Sequence, residues 1–154
     1  MEMQPGGLPL QSGSVEVLYS SHMLEHLDQQ EVVLFLREAR RILCSGGIIR
    51  LAVPDIHMQA EKYIATNDAD AFVAGTHLTE PRPRTWSRRL WFLLVGPRRH
   101  QWMYDGLSLS RLLEAQGFAP PRILKAGETQ INDPKNLDLY ERAYESVYVE
   151  AVNP

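Results

Sequence analysis

The strongest periodic signal lies between residues 29 and 43, where Val32, Phe35, Leu36, Ala39 and Leu43 recur at intervals that line one face of a helix. Asp28 and Glu31 stand at capping-box spacing ahead of it. Arg37, Arg40 and Arg41 crowd its last turns, where the helix dipole favours cations, and Gly46-Gly47 supplies the stop. On either side the pattern changes. Residues 15–19 are β-branched and aromatic enough for a strand that ends at Ser20-Ser21-His22, and residues 48–53 form a nearly unbroken apolar run suited to a buried parallel strand. Strand, helix, strand predicts a right-handed βαβ unit. Pro54 closes the second strand, Asp55 can cap a helix to about residue 65, and Asn67 a shorter one through residue 73. Residues 75–100 read as irregular. Asp105 then precedes Leu107, Leu109, Leu112 and Leu113 in a helix stopped by Gly117, and two strands are expected at 122–126 and 146–151. The last strand follows no helix, so an antiparallel pairing is predicted for it.

Alternating elements of this kind imply a mainly parallel sheet with helices on its faces and an antiparallel C-terminal strand. A length of 154 residues suits one domain, divided here into a breaker-rich lead-in (1–14), a βαβ-α core (15–74), a basic and aromatic insertion (75–104) and an α-β-β part (105–154). A net charge of −3 gives no global reason to expect nucleic acid. Cys44 stands alone, so no internal disulfide can form. No secretory leader is evident, and the longest apolar run, 90–95, falls far short of the roughly 20 residues that span a bilayer. The expected setting is a reducing cytoplasm.

Local charge is less even. Between Arg82 and Arg99 there are six arginines and no acid, interleaved with Trp86, Trp91 and Phe92. Arginine forks match phosphate and indoles favour an interface, so this stretch suits a phosphate-bearing or lipid-linked ligand and peripheral membrane contact. It suits a solvated loop whose tryptophans complete the core equally well.

Several segments carry a family resemblance. Leu8-Pro-Leu10, the run from Ser14 through Ser20-Ser21-His22-Met-Leu-Glu-His26-Leu27, and Arg37-Glu-Ala-Arg-Arg-Ile-Leu43 with Gly46-Gly47 together resemble the type 11 methyltransferase family over about fifty residues. Downstream, His100-Gln-Trp-Met-Tyr-Asp105, residues 112–118 and residues 145–151 are similar to members that modify sugars, lipids and cell-surface glycans. The resemblance implies a partial Rossmann-like class I methyltransferase fold, with S-adenosylmethionine as cofactor. It places Ser20, Ser21 and His22 beside the methionine end of that cofactor and Leu8 near its adenine. Arg98, Arg99, His100, Trp102 and Tyr104 would line the acceptor side, the acceptor being a small molecule or a glycan.

The family pattern begins with two βα units bearing a Gly-x-Gly loop and a ribose-binding acid, and only seven residues precede Leu8. The chain is therefore read as an N-terminally truncated form that binds cofactor weakly, with a non-catalytic binding or assembly module and a membrane or lipid-carrier binding domain as alternatives. Missing neighbours would leave residues 15–19 as an exposed edge, which predicts a homodimer or a partner chain. His22 is the candidate general base, because imidazole titrates near neutrality and this strand end is where parallel sheets bind ligands. The stronger reading of His22 and His26, four apart, is as helix-start residues that satisfy backbone groups or neighbours. His22-x-x-Glu25-His26 has the order of an inverted zinc motif. With no further ligand apparent, no metal is expected.

Overall fold

The computed structural model of the chain describes residues 8–77 and 100–154. In order these form β1 (Val15–Ser21), a 3-10 turn (Leu24–His26), α1 (Gln29–Ile42), β2 (Leu43–Pro54), α2 (Ile56–Thr66), α3 (Ala69–Thr76), α4 (Gly106–Ala115), β3 (Arg122–Leu124) and β4 (Ser146–Val152). The strands make one sheet in the order β1-β2-β4-β3. β1 and β2 pair parallel, while β4 lies between β2 and β3 and runs antiparallel to both. Three strands thus share a direction and β4 opposes them, as the absence of a helix before it foretold.

The capping box at Asp28 forms as the spacing predicts. The Asp28 carboxylate accepts the N–H groups of Gln30 and Glu31 at 2.8 Å, and the Glu31 side chain accepts the Asp28 N–H at 2.9 Å. α1 then buries Val32, Leu36, Ala39 and Ile42. Its junction with β2 is tighter than the pattern implied, because β2 already begins at Leu43, which pairs with Val15 before a register shift to the Val17–Ile48 pairing. A Cβ on Gly47 would sit 2.9 Å from the Cys44 carbonyl oxygen and 3.1 Å from those of Val15 and Glu16, so only glycine lets the two strands close here.

The second helix pair departs from expectation at its joint. Asn67 ends α2 in the left-handed region (φ 52°), and it is Asp68 that caps α3 by accepting the Ala71 N–H. Asn and Asp are interchangeable by cap propensity, but only one residue in the pair can take the positive φ that reverses the chain, and asparagine tolerates it better.

The two faces of the sheet are covered differently. Ile49, Leu51 and Val53 of β2 and Val147, Val149 and Ala151 of β4 meet the apolar stripes of α1 and α4 in one core. The alternate residues, Arg50, Tyr148 and Glu150, face the long segment 125–145. There Arg50 donates to the Glu128 carbonyl, Tyr148 to the Glu141 carbonyl, and the Gln130 N–H to Glu150. Among the described residues a loop, not a helix, covers this polar face. The lead-in is strapped to α1: Arg41 donates to the carbonyls of Leu8 and Leu10, and Glu38 accepts the Leu8 N–H.

Candidate functional site

At the C-terminal end of β1 the chain turns sharply. His22 takes φ 48°, uncommon for a residue with a side chain, while its N–H still reaches the Ala52 carbonyl at 2.9 Å. The ladder matches Ser20 with Leu51 and Ser21 with Ala52, so strand alternation sends the two serines to opposite faces of the sheet. Only the helix-covered face receives Ser20. Ser21 goes to the side occupied by segment 125–145.

The imidazole of His22 is turned inward and links two groups. Its Nε2 lies 2.8 Å from Ser146 Oγ at the start of β4, and its Nδ1 lies 3.4 Å from Glu25 Oε1. Glu25 belongs to the 3-10 turn and is 1% exposed; its neighbour Leu24 is fully buried and anchors the turn in the core. From the far side comes the segment after the undescribed stretch. The Gln101 and Trp102 N–H groups donate to the Glu25 carbonyl at 2.6 and 3.3 Å, and Gln101 Nε2 donates to the His26 carbonyl at 3.1 Å. These bonds set His100 Nε2 at 3.9 Å from Glu25 Oε1, the same distance as His26 Nε2.

A buried carboxyl thus sits among three imidazoles. Burial alone would raise its pKa, but the His22 contact, the residue's own N–H and the His22 and His26 rings outweigh that and hold Glu25 below the usual carboxylate range. His100 is pushed down, first by burial, with Glu25 pulling the other way and His26 and His77 adding to the fall. Tyr104 is pushed up by burial.

The residues proposed from the sequence are distributed unevenly around this cluster. His22 and His100 are part of it, and Ser20 and Ser21 precede His22 at the end of β1. Trp102 is about half exposed, whereas Tyr104 is buried in the core and pairs its backbone with Asp55 and Ile56. Leu8, in the lead-in, is tied to α1 through Glu38 at the other end of β1, with its side chain exposed. Arg98 and Arg99, with the rest of the arginine and tryptophan stretch, lie outside the described residues. The sequence pattern missed Glu25 as the centre of the group and missed its meeting with His100. Only the pairing of residues 100–102 with the 3-10 turn brings them together, and no local motif encodes that. A concavity of about 400 Å³ lined by Arg37, Arg40, Arg41, Gln116, Asn153 and Pro154 lies at the opposite end of the strands, away from this chemistry.

Comparison with known proteins places the fold. The methyltransferase domain family matches residues 2–51, which contain β1, the 3-10 turn, α1 and most of β2. A SAM-dependent methyltransferase from Aquifex aeolicus superposes on the whole chain at 11% identity with a TM-score of 0.51. The fold is that of a class I methyltransferase. Another SAM-dependent methyltransferase, from Thermotoga maritima, superposes on 96% of the chain at 15% identity and a TM-score of 0.51, and the S-adenosylmethionine-dependent methyltransferase SibL on 97% at 15% and 0.53. The chain spans 54%, 60% and 33% of the lengths of these three methyltransferases. No curated protein sequence matches it. Among the described residues of this methyltransferase fold, no helix is long and apolar enough to cross a membrane.

Proposed function

We propose that the chain acts in S-adenosylmethionine-dependent methyl transfer to a small-molecule or glycan- or lipid-linked acceptor. The observation that carries the reading is the placement of His22. It stands where β1 ends beside β2, inside the segment that matches the methyltransferase domain family, with one ring nitrogen toward a buried carboxylate. Bound there, the cofactor would supply an activated methyl group on a sulfonium. The protein's part is positional: an in-line displacement needs the acceptor held at near-attack distance and, for a hydroxyl, relieved of its proton.

Glu25 opposite Nδ1 favours the tautomer with its proton on that nitrogen, leaving Nε2 as the acceptor, the position now taken up by Ser146 Oγ. An acceptor hydroxyl would replace the serine there. Ser20 and Ser21, on opposite faces of the strand end, offer a hydroxyl to either side. The 154 residues contain no Gly-x-Gly sequence, and backbone N–H groups from such a loop normally supply much of the grip on this class of ligand.

The expected dissociation constant for S-adenosylmethionine is therefore above about 1 mM, roughly −4 kcal/mol. Amide and side-chain NMR shifts followed to millimolar cofactor should move at Ser20, Ser21 and His22 first. No movement at these residues would overturn the cofactor reading. Saturation at micromolar cofactor would overturn the weak-binding part and show that these residues complete a site by themselves.

A further inference from the structure

We infer that Glu25, His26 and His100 form a binding site for a divalent transition-metal ion of the zinc class, a role that goes beyond methyl transfer and does not depend on it. The ligand atoms already converge: one oxygen and two imidazole nitrogens lie within 4.8 Å of one another, with both nitrogens 3.9 Å from Glu25 Oε1. Ligand atoms of a tetrahedral zinc site, with bonds of about 2.0–2.2 Å, stand roughly 3.3–3.5 Å apart. Small rotations of the three side chains close that gap.

The carboxylate asks for such a partner. Glu25 is 1% exposed, and among the described residues its oxygens have no hydrogen bond closer than the 3.4 Å approach of His22 Nδ1. A buried charge left in that state is costly, and hydrogen-bond donors or a cation are the two ways to offset it. The backbone is arranged to bring imidazoles, whose ring nitrogens can donate a hydrogen bond or ligate a cation. Gln101, Trp102 and the Gln101 side chain grip the 3-10 turn and deliver His100 from a remote part of the chain, and the His77 carbonyl accepts the His100 N–H at 3.3 Å.

Donor type selects the ion. Two imidazoles and one carboxylate suit zinc, iron, cobalt or nickel, whereas magnesium and calcium prefer all-oxygen shells. His22 completes the surroundings, since its Nδ1 faces Glu25 Oε1 while Ser146 fixes its other nitrogen, the outer-shell arrangement that orients a metal-bound carboxylate. Three protein ligands leave one position open, at the end of the strands that parallel sheets use for ligands. The ligand set differs from that of an inverted zinc motif, because His22 stays in the outer shell while Glu25 and the sequence-remote His100 join His26.

The test uses the full chain, stripped with chelator and titrated with Co2+ and then Zn2+, read by visible absorption and calorimetry. One Co2+ per chain should bind with d–d bands typical of a four- or five-coordinate nitrogen and oxygen site, and Zn2+ should displace it. His26→Ala and His100→Ala should each weaken binding by at least about tenfold, the lower limit seen even for outer-shell partners. His57→Ala should change nothing, although the exposed His57–Glu61 pair, 3.3 Å apart, is the natural competing chelate. His26 is 40% exposed, so its variant should fold, and circular dichroism checks this. Absence of saturation up to roughly 1 mM ion, or binding lost in His57→Ala and kept in both His26→Ala and His100→Ala, would overturn the site.

Discussion

Arg50 and Glu150 face each other across β2 and β4 with both side chains fully buried and 2.6 Å between Nη1 and Oε1. Arg50 also donates to the Glu128 carbonyl and stacks 5.0 Å from the Tyr148 ring, while Glu150 accepts from Thr129 Oγ1 and the Gln130 N–H. Such a pair is weak evidence for stability as a whole, yet removing one member strands the other. Glu150→Ala should cost about 3–5 kcal/mol in chemical denaturation. Arg50→Met with Glu150→Leu should cost less than either single change. Tyr19 on the same face gives a second test. Its hydroxyl, raised to about 12 by burial and then by the Glu141 hydrogen bond, loses its proton later than in the unfolded chain. The stability it contributes is therefore whole below about pH 10 and falls as pH rises from there towards 12. Tyr19→Phe should remove the latest component of the tyrosinate absorbance titration and flatten the alkaline fall in stability. None of this was legible beforehand, because a single arginine inside an apolar run says nothing about the glutamate a hundred positions away that meets it.

The helix starts at Asp28, Asp55 and Asp105 were legible, whereas the start at Asp68 and the end of α1 were not. Asp28 and Asp105 both form capping boxes, with Glu31 and Ser108 respectively, because each partner lies within one turn. Asp105 is held below the usual carboxylate range by the Ser108 N–H first and the Ser108 hydroxyl second. Its cap is fully effective above about pH 4 and is lost as pH falls through the lower folded value. Asp105→Ala should cost about 1 kcal/mol at neutral pH and less in acid. The end of α1 depends on a distant residue instead. Asn153 donates its side-chain amide to the Leu43 carbonyl at 2.9 Å, with the Cys44 and Arg40 carbonyls at 3.2 and 3.3 Å. Asn153→Ala leaves buried carbonyls without a donor and should cost about 1–3 kcal/mol by thermal or urea unfolding. Gly46-Gly47 marked where the helix had to stop, but the group that satisfies it belongs to another element. The Asn67 and Asp68 exchange has the same origin, since cap propensity ranks residues and the chain path chooses between neighbours.

At the scale of the molecule, strand directions followed from element order, but the sheet order did not, and the cluster around Glu25 depends on it. β1 ends beside β2, β4 starts beside the end of β2, and that adjacency puts Ser146 against His22. Among the described residues β1 has one strand partner, β2, and within residues 15–19 only Glu16 is ionised. Edges so lightly guarded invite pairing, and we expect a two-fold dimer with β1 antiparallel to its copy. Light scattering across a dilution series should show mass falling toward the monomer, with β1 amide exchange faster in the dilute samples. A monomer at every concentration would refute it. The position of β4 also fixes an order in time. Among the described residues β3 pairs only with β4, a strand made later in synthesis, so the β3 ladder waits for 146–152. Closing that gap is a long-range event whose loop entropy must be met before any ladder bond rewards it. On a ribosome, β1, α1 and β2 can form their parallel unit early and wait with the far edge of β2 open, exposed to chaperones and to neighbouring nascent chains until β4 slots in.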